Sequence, residues 1–312
     1  MLAKSEQSLV KTTHDFIDDW LESERLQGKS EATLDTYRRG FYRFTKWLAE
    51  NEISSPNSRD VAQYRADMLA AYSNQTVNLS LSAVRSFYRY LVSVGATPYS
   101  IASDVKGTKR ANANQHKRSE LSAGEVLDVL ATCESGDDHD TPQGVRDRAI
   151  LTLMAYCGLR TIEIQRANID DLKVNGRMVL WVQGKGHREA DEYVVIPREQ
   201  ERIIRAWLAE RAKFGNAEPA LFISLSRRNQ GERLSTRAIR NLVKDHYHKA
   251  GIYDDTKTTH SLRHSAITSA IRHGATPMQV QAMARHSSFN TTLGYIHEVN
   301  RLDAPAEDLI AY

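Results

Sequence analysis

The chain has 312 residues, with 42 lysines and arginines against 39 aspartates and glutamates, a net charge of +3 and 41% hydrophobic residues. This length and apolar content suggest two domains with a core each, and so small a net charge does not by itself announce a nucleic-acid binder. Two cysteines, Cys133 and Cys157, exclude a disulfide framework and a paired-cysteine metal site, and no apolar run reaches the length of a membrane span or a secretory leader, so a soluble, cytoplasmic protein is expected.

The first hundred residues have a helical apolar period. Phe16, Ile17, Trp20 and Leu21 mark one amphipathic helix, and Leu34, Tyr37, Phe41, Phe44 and Leu48 a second that follows the capping candidate Ser30. A third, shorter helix is expected from near Asp60. A fourth follows Ser73 and carries Val77, Leu81, Val84, Tyr88 and Leu91 until Gly95 and Pro98 stop it. Opposite these stripes lie cations: Arg39, Arg43 and Lys46 on the second helix, and Arg85 and Arg89 one turn apart on the fourth. By pattern alone they read as an ordinary solvated face.

Between Ser103 and Arg118 stand Lys106, Lys109, Arg110, Lys117 and Arg118 against the single acid Asp104, with almost no large apolar side chain. Such a stretch is attracted to phosphate and also suits a solvated linker. The expected division is therefore a helical domain over 1–102, a basic linker over 103–118 and a second domain over 119–312.

The second domain opens on Ser122-Ala123-Gly124-Glu125, which has capping-box spacing, ahead of Val126, Leu127, Val129 and Leu130. A helix from about Val145 to Tyr156 delivers Arg160 just after Gly158. The period then changes: Met178–Val182 and Glu192–Ile196 are strand-like, with Asn175-Gly176 as a turn before the first. Lys185 lies in the connection between these strands, flanked by Gly184 and Gly186. Helices resume after Pro197 and again from Ser235 to Gly251, and two more are expected to carry the histidines that follow. The run Asp137-Asp138-His139-Asp140 suggests a metal site, but Thr141-Pro142 follows and no second ligand cluster is evident, so an exposed loop is the preferred reading and no metal is expected.

The C-terminal third carries the chemistry. His260-Ser261-Leu262-Arg263-His264 is followed by Arg285-His286 and, nine residues after His286, by Tyr295. A tyrosine close behind histidines and arginines is what attack on a phosphodiester requires, without metal or nucleotide cofactor. Guanidiniums stay charged at physiological pH and donate planar forks to nonbridging oxygens, which suits Arg160 and Arg263. His260 and Arg263 are three apart, so a helix projects both from one face. His286 adds a hydrogen-bond donor. An unperturbed tyrosine pKa is about 10, so Tyr295 needs nearby cations or His260 to take its proton or stabilise its phenolate. Glu163 is expected to orient Arg160 or a histidine, with a simple helix salt bridge as the equal alternative. His264 and His297 are left as supporting or structural.

The order Arg160, Lys185, His260 with Arg263, His286 and Tyr295 resembles the signature of the tyrosine recombinase (phage integrase) family, and the helical N-terminal segment resembles that family's DNA clamp, which implies Arg39, Arg43, Lys46, Arg85 and Arg89 as DNA-contact candidates. The resemblance implies a mostly α fold with a small β-sheet: a helical SAM-like core-binding domain and a mixed α/β catalytic domain. It also implies Tyr295 as nucleophile, Lys185 as general acid, a 3′-phosphotyrosyl intermediate with a free 5′-hydroxyl, no cofactor, and strand exchange in a homo-tetramer on two DNA duplexes. A sister recombinase or accessory protein is a further candidate partner. Two positions depart from the family pattern: Arg285 stands where glycine is common, a bulky cation that could touch a phosphate, and Cys157 stands where a small polar residue is common.

With only a short stretch ahead of the first helix, no arm-binding domain is expected, which favours a compact Xer-like enzyme or one from a mobile element. The apolar residues of the tail Asp308-Leu309-Ile310-Ala311-Tyr312 suit docking on a neighbouring protomer, or fraying. The competing readings are type IB topoisomerase-like relaxation and a catalytically silent DNA-binding protein of the same fold.

Overall fold

The computed structural model describes residues 16–108, 120–133, 140–184, 189–215 and 218–303, with 305, 308 and 310. The chain divides into two compact units, Met1–Ala113 and Asn114–Tyr312.

The first unit is helical: α1 (16–26), α2 (Glu31–Glu50), α3 (Ser58–Ala71) and α4 (Asn74–Ser93). Ser30, Asn57 and Ser73 cap the last three, each side chain accepting from a main-chain N–H of the first turn. The apolar stripes meet in an aromatic core in which Trp20 packs on Tyr37, Phe41 and Phe87. The Trp20 indole, buried with them, donates to the Ser86 hydroxyl at 3.0 Å, so its polar edge is not stranded. Helices α2 and α4 approach closely at Gly40, where an added Cβ would stand 3.0 Å from the Ala83 Cβ.

Packing of the first unit continues into the stretch expected as linker. Ile101, Ala102 and Val105 belong to the first core, and Asn78 brackets Thr108, accepting from its N–H at 2.8 Å and donating to its carbonyl at 3.2 Å. One valine and one well-placed amide hold a segment whose charge reads as solvated. Lys109, Arg110, Lys117 and Arg118 lie outside the described residues.

The second unit begins with α5 (Ala123–Ala131), α6 (Pro142–Cys157) and α7 (Thr161–Arg166). A three-stranded antiparallel sheet follows, β1 (Leu172–Asn175), β2 (Arg177–Val182) and β3 (Glu192–Val195), with β2 central. Leu180 pairs with Leu172 on one side and Val194 on the other, and β2 turns Met178, Leu180 and Val182 into the core with period two. The chain continues through α8 (Glu201–Ala212), α9 (Thr236–Lys249), α10 (Thr259–Arg272), α11 (Pro277–Ala284) and α12 (Phe289–Asp303).

Helix α6 lies at the centre, with Ile150, Leu151, Leu153 and Met154 buried on successive faces. Strand β1 goes beyond the two strands expected. Its Leu172-Lys173-Val174-Asn175 is largely exposed, so pairing with β2 rather than burial makes it a strand. The fold class is as expected, mostly helical with a small sheet. The acidic run 137–139 lies outside the described residues. Among those described, no group of three or more His, Cys, Asp or Glu could hold a metal ion, and no helix is long and apolar enough to cross a membrane.

Candidate active site

Three chain segments converge on a cluster of buried charge. Gly158 ends α6 in the left-handed conformation, φ +60°, and this turn throws Arg160 to the start of α7. There Glu163 accepts from the Arg160 main-chain N–H at 2.7 Å, and its Oε1 accepts from the Arg160 guanidinium at 2.7 Å. One carboxylate thus caps the helix and orients the side chain of its capping residue.

Arg263 comes from α10 and is buried. Its guanidinium donates to the Gly158 carbonyl at 2.5 Å and to the carbonyl of Ala284. Arg160 reaches the same helix end, donating to the carbonyls of Ala284 at 3.4 Å and Arg285 at 3.3 Å. The last carbonyls of a helix lack intrahelical partners and carry its negative dipole end, so the terminus of α11 is a natural seat for two cations. Burial first, then the like charges of Arg160 and Arg285, push Arg263 down to about 9, which leaves it charged at physiological pH.

Arg285, expected as a bulky cation beside the site, is buried there, donating to Glu163 Oε2 at 2.7 Å and to the carbonyls of Met283 and Gly158 at 2.5 and 3.3 Å. Its φ of +50° lies in the left-handed region, a position that favours glycine and costs another residue roughly 1 kcal/mol. The physical reason for its inward course is Glu163. Burial would raise that carboxyl, and the charges of Arg285 and Arg160 more than offset this, so its pKa is lowered. Cys157, beside this cluster, is buried and its thiol pushed up to about 12, chiefly by burial.

His286 lies in the turn between α11 and α12 rather than on a helix. Its Nδ1 is 2.9 Å from the Thr292 hydroxyl, and its ring stacks on Tyr295 with centroids 5.7 Å apart and planes 14° apart. Burial first, then Arg263, Arg160 and Arg285, push the imidazole down to about 4. It is therefore neutral at physiological pH and acts as a hydrogen-bonding group, not a fixed charge. Tyr295, half-buried on α12, lies within electrostatic reach of Arg263.

His260 is in the exposed first turn of α10, so it and Arg263 differ in burial although they are three apart. The adjacent Thr259 hydroxyl is 3.2 Å from that of Thr161, which follows Arg160, and this brings the starts of α7 and α10 together. Lys185 lies outside the described residues. The carbonyl before it, on Gly184, accepts from Arg166 of α7 at 2.9 Å. Arg166 was not singled out in the sequence, since nothing local distinguishes it from a surface arginine. The same holds for Thr292, whose buried hydroxyl steadies His286.

Of the DNA-contact candidates, Arg39, Lys46, Arg89 and Lys106 are exposed. Lys46 pairs with Glu50 at 3.6 Å, and Arg43 stands over the Tyr72 ring at 5.9 Å. Arg85 is half-buried and donates to the Val105 carbonyl, so part of its guanidinium serves the fold.

A tyrosine stacked on a neutral histidine beside two guanidiniums on a helical, small-sheet unit defines a class of phosphodiester-cleaving catalytic domain. The family model described as the phage integrase family matches residues 120–301, and that of the phage integrase N-terminal SAM-like domain matches residues 17–95. The chain belongs to the phage integrase family of tyrosine recombinases. Tyrosine recombinase XerD of Pseudomonas putida is 30% identical over 297 residues, covering 91% of this chain and 93% of that protein. The XerH site-specific recombinase in a post-cleavage complex with palindromic difH substrate shares the fold at a TM-score of 0.74 and 19% identity, over 97% of this chain and 84% of that one. A lambda integrase tetramer bound to a Holliday junction does so at 0.66 and 17%, over 92% and 78%.

Proposed function

We propose that this chain is a site-specific recombinase that cleaves and rejoins DNA through a 3′-phosphotyrosyl bond at Tyr295. The observation that carries the reading is the seating of Tyr295 against His286 and within reach of Arg263, while Arg160 and Arg263 converge on one helix end. The Tyr295 oxygen attacks phosphorus, the bond to the 5′ oxygen breaks, and that oxygen takes a proton from Lys185. Arg160, Arg263 and the neutral His286 bind the nonbridging oxygens as their charge grows, and His260 receives the phenolic proton. Glu163 positions Arg160. Because the phosphotyrosyl bond keeps the energy of the broken one, a 5′-hydroxyl from a second duplex can attack it without ATP.

The same proposal includes a homo-tetramer on two duplexes in the cytoplasm, with or without a sister recombinase. The similar lambda integrase tetramer on a Holliday junction supports that arrangement. Exposed Arg39, Arg89 and Lys106, with Lys109 and Arg110 shortly after Lys106 in sequence, are the proposed phosphate contacts of the first unit. An origin in a mobile element is one branch of the proposal and chromosome-dimer resolution the other.

The test is denaturing capture of protein-linked DNA from cells expressing the chain, sequenced at the attachment point, with Tyr295→Phe as control. Adducts at a few repeated positions that vanish in the phenylalanine variant, while DNA binding stays within about twofold, are expected. Scattered adducts would indicate loosely specified relaxation, and an adduct in Tyr295→Phe would remove this tyrosine from the mechanism.

A further inference from the structure

Tyr295 is flanked by two imidazoles. Besides His286, the ring of His264 packs against it, with centroids 4.8 Å apart and planes at 59°. His264 follows Arg263 on α10 and is buried, and both its nitrogens face carboxylates. Nδ1 is 3.7 Å from Glu120 Oε2, and Nε2 is 4.0 Å from Glu298 Oε2. Glu298 stands three residues after Tyr295 on α12, one helical turn on, so His264 meets that helix at two successive points. Glu120 lies ahead of α5 and also pairs with Arg272 at the end of α10, at 3.0 Å.

The arrangement ties three segments distant in sequence to one ring. The packing of α12 sets where the Tyr295 hydroxyl stands, and a displacement of about 1 Å from attack geometry costs on the order of 10²-fold in rate. Contact with the phenol ring and with a carboxylate on the same helix restrains both the rotation and the translation of α12 over α10. We propose that His264 is a positioning residue for the nucleophile, packing against the Tyr295 ring, with the Glu298 carboxylate of α12 and the Glu120 carboxylate on either side of its imidazole. Electrostatics agree: Glu120 is held down to about 2, with His264 the largest cause and Thr268 and Arg272 contributing. Residues that fix the orientation of an acting group in this way govern rate without touching the substrate.

The proposal rests on the recombinase reading, so its test has an arm that needs no DNA. Fluorotyrosine placed at position 295 is followed by ¹⁹F NMR in the DNA-free protein, and adduct formation at saturating DNA is followed on the site mapped by capture. The parent protein should give one narrow fluorine resonance. His264→Ala, and Glu298→Gln at a partly exposed position if the alanine variant does not fold, should broaden or split it. They should slow adduct formation by about tenfold or more while DNA affinity stays within about twofold. A His264→Gln side chain, which keeps a donor near the carboxylates, should recover part of the rate. A folded variant with an unchanged resonance and an unchanged adduct rate overturns the proposal, as does a change confined to the melting temperature. If the parent forms no adduct, the recombinase reading fails, and the fluorine spectrum still decides whether His264 holds the tyrosine.

Discussion

Two buried arginines in the second unit have the same kind of partner and opposite consequences. Arg211 donates to the carbonyls of Ala220, Gly215 and Glu218 at 3.1, 2.6 and 2.6 Å; burial lowers its pKa, and the neighbouring Glu218 charge works the other way. Arg263 also donates to main-chain carbonyls, but its charged neighbours include two guanidiniums, Arg160 and Arg285, with Glu163 opposing them. The first is saturated and locally compensated, which is how a fold uses an arginine to stitch a loop. The second is held in excess positive charge, which a bound phosphate would relieve. The difference lies less in burial or hydrogen bonding than in whether the built-in anion faces one guanidinium or, as Glu163 does, is shared among three.

The most forceful way to break this comparison is to remove the anion that faces the three guanidiniums. Glu163→Gln leaves Arg285, Arg160 and Arg263 facing one another without it. Loss of one partner of a buried pair costs roughly 3–5 kcal/mol, and a large fall in urea midpoint is expected. A loss under about 1 kcal/mol would mean that Arg285 turns outward and the cluster is not held by charge.

Next in size is Arg263→Ala, which should slow adduct formation by about 10²–10³-fold at saturating DNA, the usual consequence of losing one donor to a developing oxyanion. Its stability cost should be modest, because relief of repulsion from Arg160 and Arg285 offsets the lost carbonyl bonds. Arg211→Ala is the counterpart. It should cost roughly 1–3 kcal/mol of stability by stranding carbonyls and leave adduct formation per folded molecule unchanged. If the two variants showed the same pattern, the distinction between a compensated and an uncompensated arginine would fail.

How much of this could be read from sequence follows the same division. Caps are local, so Ser30, Ser73, Ser122 and Ser235 mark helix starts with no knowledge of the fold. The order of Arg160, Arg263, His286 and Tyr295 was legible as chemistry because few other tasks need those residue types together. What escaped depends on partners far along the chain. Arg285 turns inward for a carboxylate 122 positions away, and β1 exists because β2 pairs with it. Val105 makes a core residue of what reads as linker, and the grip of His264 on Tyr295 needs Glu120 and Glu298 brought from both ends of the unit.

The smallest expected effect is a pH dependence that sharpens the same contrast. Burial and the surrounding guanidiniums hold His286 at about 4, against an unperturbed value of about 6.5. Between those values the unfolded chain binds a proton that the folded, DNA-free protein does not. This group therefore makes stability fall as pH drops through 6.5 towards 4, and above that window it contributes no slope. A phosphodiester seated against Arg160 and Arg263 brings negative charge and relieves the electrostatic part of the shift while the burial part remains. Binding should then raise the His286 pKa, and DNA affinity should increase as pH falls within the window by more than it does in His286→Gln. NMR titration of the His286 ring in the DNA-free protein checks the starting point. An inflection near 4 fits burial reinforced by uncompensated positive charge, whereas one near 6.5 would mean that neither acts on His286 and that Arg263 is no different in kind from Arg211.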